Sequence, residues 1–130
     1  MELFKDMEEK AAYVESLILA VTADEKITEQ HRQYVPAILE RYGLPGEYFD
    51  RIWKNMKRKP PLSEILQPLR TNEQKVFFIQ ELVAYTYLSG NYRQAKPRLA
   101  QICKALHIST KLEDIKKIVL ANLPQIDQQA

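Results

Sequence analysis

The fold class follows from the segment Asn72-Glu73-Gln74-Lys75-Val76-Phe77-Phe78-Ile79-Gln80-Glu81-Leu82-Val83-Ala84-Tyr85-Thr86-Tyr87-Leu88. Its apolar residues do not alternate with polar ones, so it is not a half-buried strand. They run instead around most of a helical circumference: Val76, Phe77, Phe78, Ile79, Leu82, Val83, Ala84, Tyr85 and Tyr87. Thr71 and Gln74 have the spacing of a capping box and open the segment. A helix over 72–88 follows, and one this apolar belongs at the centre of a helical bundle.

The flanking chain supplies the wrapping. Upstream, Phe4, Met7, Ala11, Val14, Ile18 and Val21 recur at steps of three and four and predict a first helix near 3–22. Thr28 is the predicted N-cap of a second helix, with an apolar face of Ile27, His31, Tyr34, Val35, Ile38, Leu39 and Tyr42. Pro36 lies inside this pattern and predicts a kink, or a split near 31–33, because it has no N–H to give. Gly43 stops the helix. Pro45 suits the first turn of a third helix over about 45–57, with Phe49, Ile52, Trp53 and Met56 inward. Lys59-Pro60-Pro61 breaks the chain before a short fourth helix near 62–69, limited by Pro68. Downstream, Ser89-Gly90-Asn91 is a turn. A sixth helix enters near Tyr92 or Ala95, with Pro97 as a first-turn proline and Leu99, Ile102, Cys103 and Leu106 inward. Thr110 and Glu113 form a second capping box, opening a seventh helix with Leu112, Ile115, Ile118 and Val119 inward. The tail 124–130 is expected to fray.

At 130 residues, 45% hydrophobic and 28% charged, the chain has the means for one core and a single domain over 1–123. Its three glycines exclude a glycine-rich nucleotide loop, and its single cysteine excludes an internal disulfide or a multi-cysteine zinc site. Residues 1–50 carry net −6 and residues 51–130 net +8, so the total of +2 hides two oppositely charged halves. The acidic N-terminus is unlike a signal or transit peptide, and the longest clearly apolar run, 17–21, is far short of a membrane span. The cytoplasm is therefore the expected compartment. There is no phosphate loop, zinc-protease helix or serine elbow, so the expectation is a non-catalytic chain.

The order helix, polar turn, helix, break, helix occurs twice, over about 3–58 and 71–122. A shift of 64 pairs Ala20 with Ala84, Thr22 with Thr86, Val35 with Leu99, Ile38 with Ile102, Tyr42 with Leu106 and Leu44 with Ile108. A shift of 63 continues with Phe49 and Leu112, Ile52 and Ile115, Met56 and Val119. Two such halves facing each other, with the first and fifth helices as paired rods, predict an all-α compact bundle of about seven helices with a pseudo-twofold internal repeat. The motifs Ala20-Val21-Thr22-Ala23-Asp24-Glu25-Lys26-Ile27 and Arg41-Tyr42-Gly43-Leu44 resemble the tellurite-resistance TerB-like domains. Members of that family carry an alanine-rich helix ending in Ala-x-x-Ala-Asp-Gly-x-Ile, then a helix ending in Leu-Gly-Leu. The resemblance spans about residues 10–120. It implies the same helical bundle and, in some members, acidic turns that bind a divalent cation. This chain departs from the pattern: Glu25 stands for the glycine, and the second copy has no acid between Asn91 and Pro97.

Three candidate sites emerge. Asp24, Glu25 and Glu29, with His31 nearby, are hard oxygen donors suited to weak calcium or magnesium binding, although they also suit the positive N-terminus of the second helix. Lys54, Lys57, Arg58 and Lys59 form a basic cluster. It complements a helix C-terminus or could meet phosphate; Trp53 is adjacent, but the aromatic–basic interleaving typical of single-strand binding does not surround the cluster, which disfavours nucleic acid. Cys103 and His107 share a helical spacing, yet an inward cysteine behaves as a small hydrophobe. Tyr85, Tyr87 and Tyr92 flank the second turn as packing residues or a recognition rim. The leading expectation is an interaction or scaffold module that presents the surface between the acidic turn and the basic third helix to a protein partner. Cation binding and phosphate or nucleic-acid binding stand as alternatives.

Overall fold

In the computed structural model, residues 3–23 and 25–122 are described; they form seven α-helices and no strand. No helix among them is long and apolar enough to cross a membrane. The chain divides into two compact units, Met1–Leu69 and Arg70–Ala130. The tail expected to fray lies outside the described residues.

The first unit contains α1 (Met7–Thr22), α2 (Glu29–Arg41), a 3-10 turn (Gly46–Tyr48), α3 (Phe49–Arg58) and α4 (Leu62–Leu66). Helix α1 begins four residues later than its apolar pattern predicts. The Asp6 carboxylate accepts from the Glu9 N–H at 2.8 Å and sets the N-cap. Phe4 therefore stays outside the helix and packs on Tyr13, ring centroids 4.9 Å apart, while Met7 is exposed. Ala11, Val14 and Ile18 are buried as expected, and Tyr13, Ser16, Leu19, Ala20 and Thr22 widen that face. The buried Ser16 and Thr22 hydroxyls donate to the Ala12 and Ile18 carbonyls, so neither is left unpaired.

Helix α2 starts after Thr28, as its sequence predicts, and continues through Pro36 as one α-helix. The predicted split at 31–33 does not occur. Pro36 is exposed, so water can take the Arg32 carbonyl that its missing N–H leaves free. Only Val35 and Leu39 are fully buried on α2, and Tyr34 faces solvent. Gly43, at φ 69°, ends the helix: the Leu44 N–H returns to the Leu39 carbonyl at 2.8 Å.

The third helix is not continuous from Pro45. Pro45 is extended, at ψ 152°, and three residues of 3-10 turn intervene before α3. Ile52 and Met56 are the buried positions of α3. Tyr48 Oη donates to Glu8 at 2.7 Å, and Asn55 Nδ2 to Glu15 at 3.0 Å, tying this segment to α1. Helix α4 is shorter than predicted. Pro68 has no N–H for the Glu64 carbonyl, which takes the Gln67 N–H at 3.3 Å in a tighter step.

The second unit contains α5 (Asn72–Leu88), α6 (Tyr92–Ala105) and α7 (Leu112–Asn122). The Thr71–Gln74 capping box forms; the buried Gln74 Oε1 accepts from the Arg70 N–H at 2.9 Å and the Thr71 N–H at 3.3 Å. Phe78, Ile79, Leu82 and Val83 are buried. Wholly burying one such side chain stabilises by about 1.5–3 kcal/mol. The helix is not buried all round, however: Val76 (43% exposed), Phe77 and Leu88 face outward. Val76, Phe77 and Phe78 are consecutive, and steps of about 100° spread them over more of the circumference than is covered.

Helix α6 begins at Tyr92, directly after the turn in which Gly90 lies at φ 74° and the Asn91 N–H reaches the Thr86 carbonyl at 2.9 Å. Pro97 is therefore inside the helix rather than in its first turn, on an exposed face. Leu99, Ile102, Cys103 and Leu106 are buried as predicted. His107 takes the left-handed conformation, at φ 58°, and the Ile108 N–H returns to the Cys103 carbonyl at 3.0 Å. On α7, Ile115 and Val119 are inward, but Ile118 is 46% exposed, contrary to the predicted stripe.

Candidate functional site

The acidic turn is built where α1 ends. The Glu25 N–H caps the Thr22 carbonyl at 3.1 Å. Thr28, four residues before Arg32 in the new helix, donates its N–H to His31 Nδ1 at 3.0 Å. A ring nitrogen that accepts carries no proton, so the proton sits on Nε2 and is donated to Glu25 Oε2 at 2.7 Å. His31 is thus the third-position member of a capping box and the partner of Glu25. Glu29 turns to Arg32, 3.7 Å away, and is largely exposed. Asp24 lies outside the described residues. Of the predicted donors, Glu25 and Glu29 are given different partners. Among the described residues no group of three or more His, Cys, Asp or Glu is placed to hold a metal.

A cation does reach this turn, from the chain itself. Lys59 ends α3 in the left-handed region, at φ 55°, and its ammonium donates to the Thr22 and Ala23 carbonyls, both at 3.3 Å, and to the Glu25 carbonyl. The Thr22 and Ala23 oxygens lie at the negative end of α1, where a positive charge is favoured.

The rest of the basic cluster is dispersed. Arg58 is bound to Glu64 and to Asn55 Oδ1, the latter at 3.2 Å, and its guanidinium holds the Glu64 carboxyl below the ordinary glutamate value. Lys57 Nζ lies 5.2 Å from the centre of the Trp53 ring. Lys54 is exposed and makes no ion pair among the described residues. The cluster is therefore not one patch of four available cations.

What the sequence reading missed is an aromatic–basic ladder. Phe49 and Trp53 are half-buried and nearly parallel, 9° apart with centroids separated by 6.4 Å. Arg32 lies 6.0 Å from the Phe49 ring and Lys57 covers Trp53, giving the order Arg32, Phe49, Trp53, Lys57. The i, i+4, i+8 spacing of Phe49, Trp53 and Lys57 was a legible signal. Arg32, which comes from α2, was not.

In the second unit, Tyr87 and Tyr92 stack at 4.6 Å, and Lys116 lies 5.6 Å from the Tyr92 ring. Glu113, expected in a capping box, receives Lys96 at 2.8 Å and Lys116 at 3.1 Å; these two ammonium groups hold its carboxyl below the ordinary value. The Tyr92 hydroxyl is buried with no hydrogen-bond partner among the described residues, and that burial raises its pKa. Burial also pushes the Cys103 thiol up, while His107 is exposed beyond the end of α6. This is an environment for an inert thiol, not an activated nucleophile. No family model, curated protein or solved structure matches the chain.

Proposed function

We propose that this chain is a TerB-like, non-catalytic interaction module made of two copies of one three-helix unit, and that it docks a protein partner. Equivalent burial supports the repeat. At a shift of 64, Thr22 and Thr86 are buried hydroxyls that donate back into their own helices, and Val35 and Leu99 are both core. Leu39 and Cys103 both accept the N–H that closes the helix end, from Leu44 and Ile108. At a shift of 63, Ile52 and Ile115, and Met56 and Val119, are core in their respective units. The observation that carries the interaction reading is the ladder in which the half-buried Phe49 and Trp53 are flanked by the exposed Arg32 and Lys57, with tryptophan and arginine among the residue types that anchor protein interfaces.

The cation-binding reading through Asp24, Glu25 and Glu29 is less favoured, because an ammonium already holds the carbonyls of that turn. Affinity capture with the full chain and with Trp53→Ala tests the interaction module. One stoichiometric protein retained by the parent and lost from the variant is expected. Turnover of a small molecule by the isolated chain would contradict the reading, as would calcium or magnesium raising the melting temperature at about millimolar concentration.

A further inference from the structure

We infer that the ladder is the docking strip for an acidic protein segment that also bears apolar side chains; this rests on the interaction reading above and names its partner class. Phe49, Trp53 and Lys57 lie eight residues apart end to end on α3, so the strip is about 12 Å long at 1.5 Å per residue. An extended segment of about four residues spans it.

Charge along the strip has a direction. At the Phe49 end, Arg32 is already paired with Glu29, and Asp50, next to Phe49 in the sequence, is exposed. At the other end, Lys54 has no ion pair among the described residues, Lys57 is held over the Trp53 ring, and the two share one side of α3 at a spacing of three. Partner carboxylates go to Lys54 and Lys57, and an apolar side chain lies along the exposed parts of Trp53 and Phe49. Arg58 and Lys59 do not add to this end, since Glu64 and the carbonyls of the acidic turn hold them. Cations sit over the rings on which single-stranded bases would stack, which favours carboxylates over nucleotides as the occupant.

Trp53 is the sole tryptophan, so its emission reports on the strip in the unmodified full chain. Three probes are titrated: a short synthetic peptide alternating Asp and Glu with Leu and Phe, the same peptide with Asn and Gln replacing the acids, and oligothymidylate. The acidic peptide alone is expected to give a saturable change, weakening several-fold as salt rises from about 50 to about 200 mM. Lys54→Glu with Lys57→Glu is expected to weaken it by at least about tenfold while the helical circular dichroism stays that of the parent. Equal binding of the amide peptide, tighter binding of oligothymidylate, or indifference to the double charge reversal overturns the inference. A captured partner whose footprint lies away from Trp53 overturns it too, yet leaves the interaction module standing.

Discussion

Replacing Lys59 tests whether the ammonium at the end of α1 holds the first unit together. Two effects meet at this residue. Its backbone is left-handed, at φ 55° and ψ 68°, which costs a non-glycine residue about 1–2 kcal/mol. Its ammonium satisfies three carbonyls of the preceding turn. Charge-assisted bonds contribute about 1.5–3 kcal/mol when sheltered, and an exposed lysine retains about 1 kcal/mol of that. Lys59→Met removes the charge and keeps the strained backbone, so it is expected to destabilise by about 1 kcal/mol. Lys59→Gly removes the charge and relieves the backbone, so the two terms offset to within about 0.5 kcal/mol. Urea unfolding followed by Trp53 emission reads both variants. With a slope near 2 kcal/mol per molar, the midpoint should fall by about 0.5 M for methionine and stay put for glycine. A methionine variant as stable as the parent, or a glycine variant more stable by the full backbone term, would show that the ammonium contributes nothing.

The faces of α5 predict opposite outcomes for one substitution: Val83→Asp buries an unpaired charge and should prevent folding, whereas Val76→Asp, on the exposed flank, should melt within about 2 °C of the parent. His107→Gly should stabilise by about 1 kcal/mol, seen as a higher melting temperature, because the exposed histidine is held at φ 58°. Glu113 has a folded-state pKa below its unfolded value, so its contribution is present above the unfolded value near 4.3 and is lost as pH falls through the folded one. Melting temperature should therefore drop on acidification below about pH 4.5, and less steeply in Glu113→Gln, while equal slopes would remove the two lysines as the cause.

Local chemistry made much of the fold legible. Thr71 and Gln74 mark the start of α5, Thr28 that of α2, and Gly43 the end of α2, because each acts through backbone groups within a few residues. Where the reading failed, a competing local group or a distant one decided. Asp6 overrode the apolar pattern at the start of α1. The sequence predicts a kink or split at Pro36 and a first-turn place for Pro97, yet both lie within helices on exposed faces, where their missing N–H leaves a carbonyl that water can serve. The acids of the turn after α1 suit both the N-terminus of α2 and a cation, and the sequence does not show that an ammonium meets the carbonyls of this turn: Lys59 lies more than thirty residues along the chain, and no periodicity connects the two. The basic cluster at 54–59 looked uniform because charge is visible in a sequence and its partners are not: Arg58 goes to Glu64, Lys59 to carbonyls, Lys57 to an indole. The width of the apolar face on α5 was overstated for the same reason, since a sequence shows which residues can be buried but not how much cover they find.

The sheltered thiol of Cys103 has a practical consequence. Thiol-directed reagents act on the thiolate, and this side chain is buried and its pKa is raised by that burial, so it reacts slowly. A cysteine introduced at position 54 would then be the fast-reacting sulfur in the molecule. A dye or spin label could be attached beside the ladder without first removing the native residue.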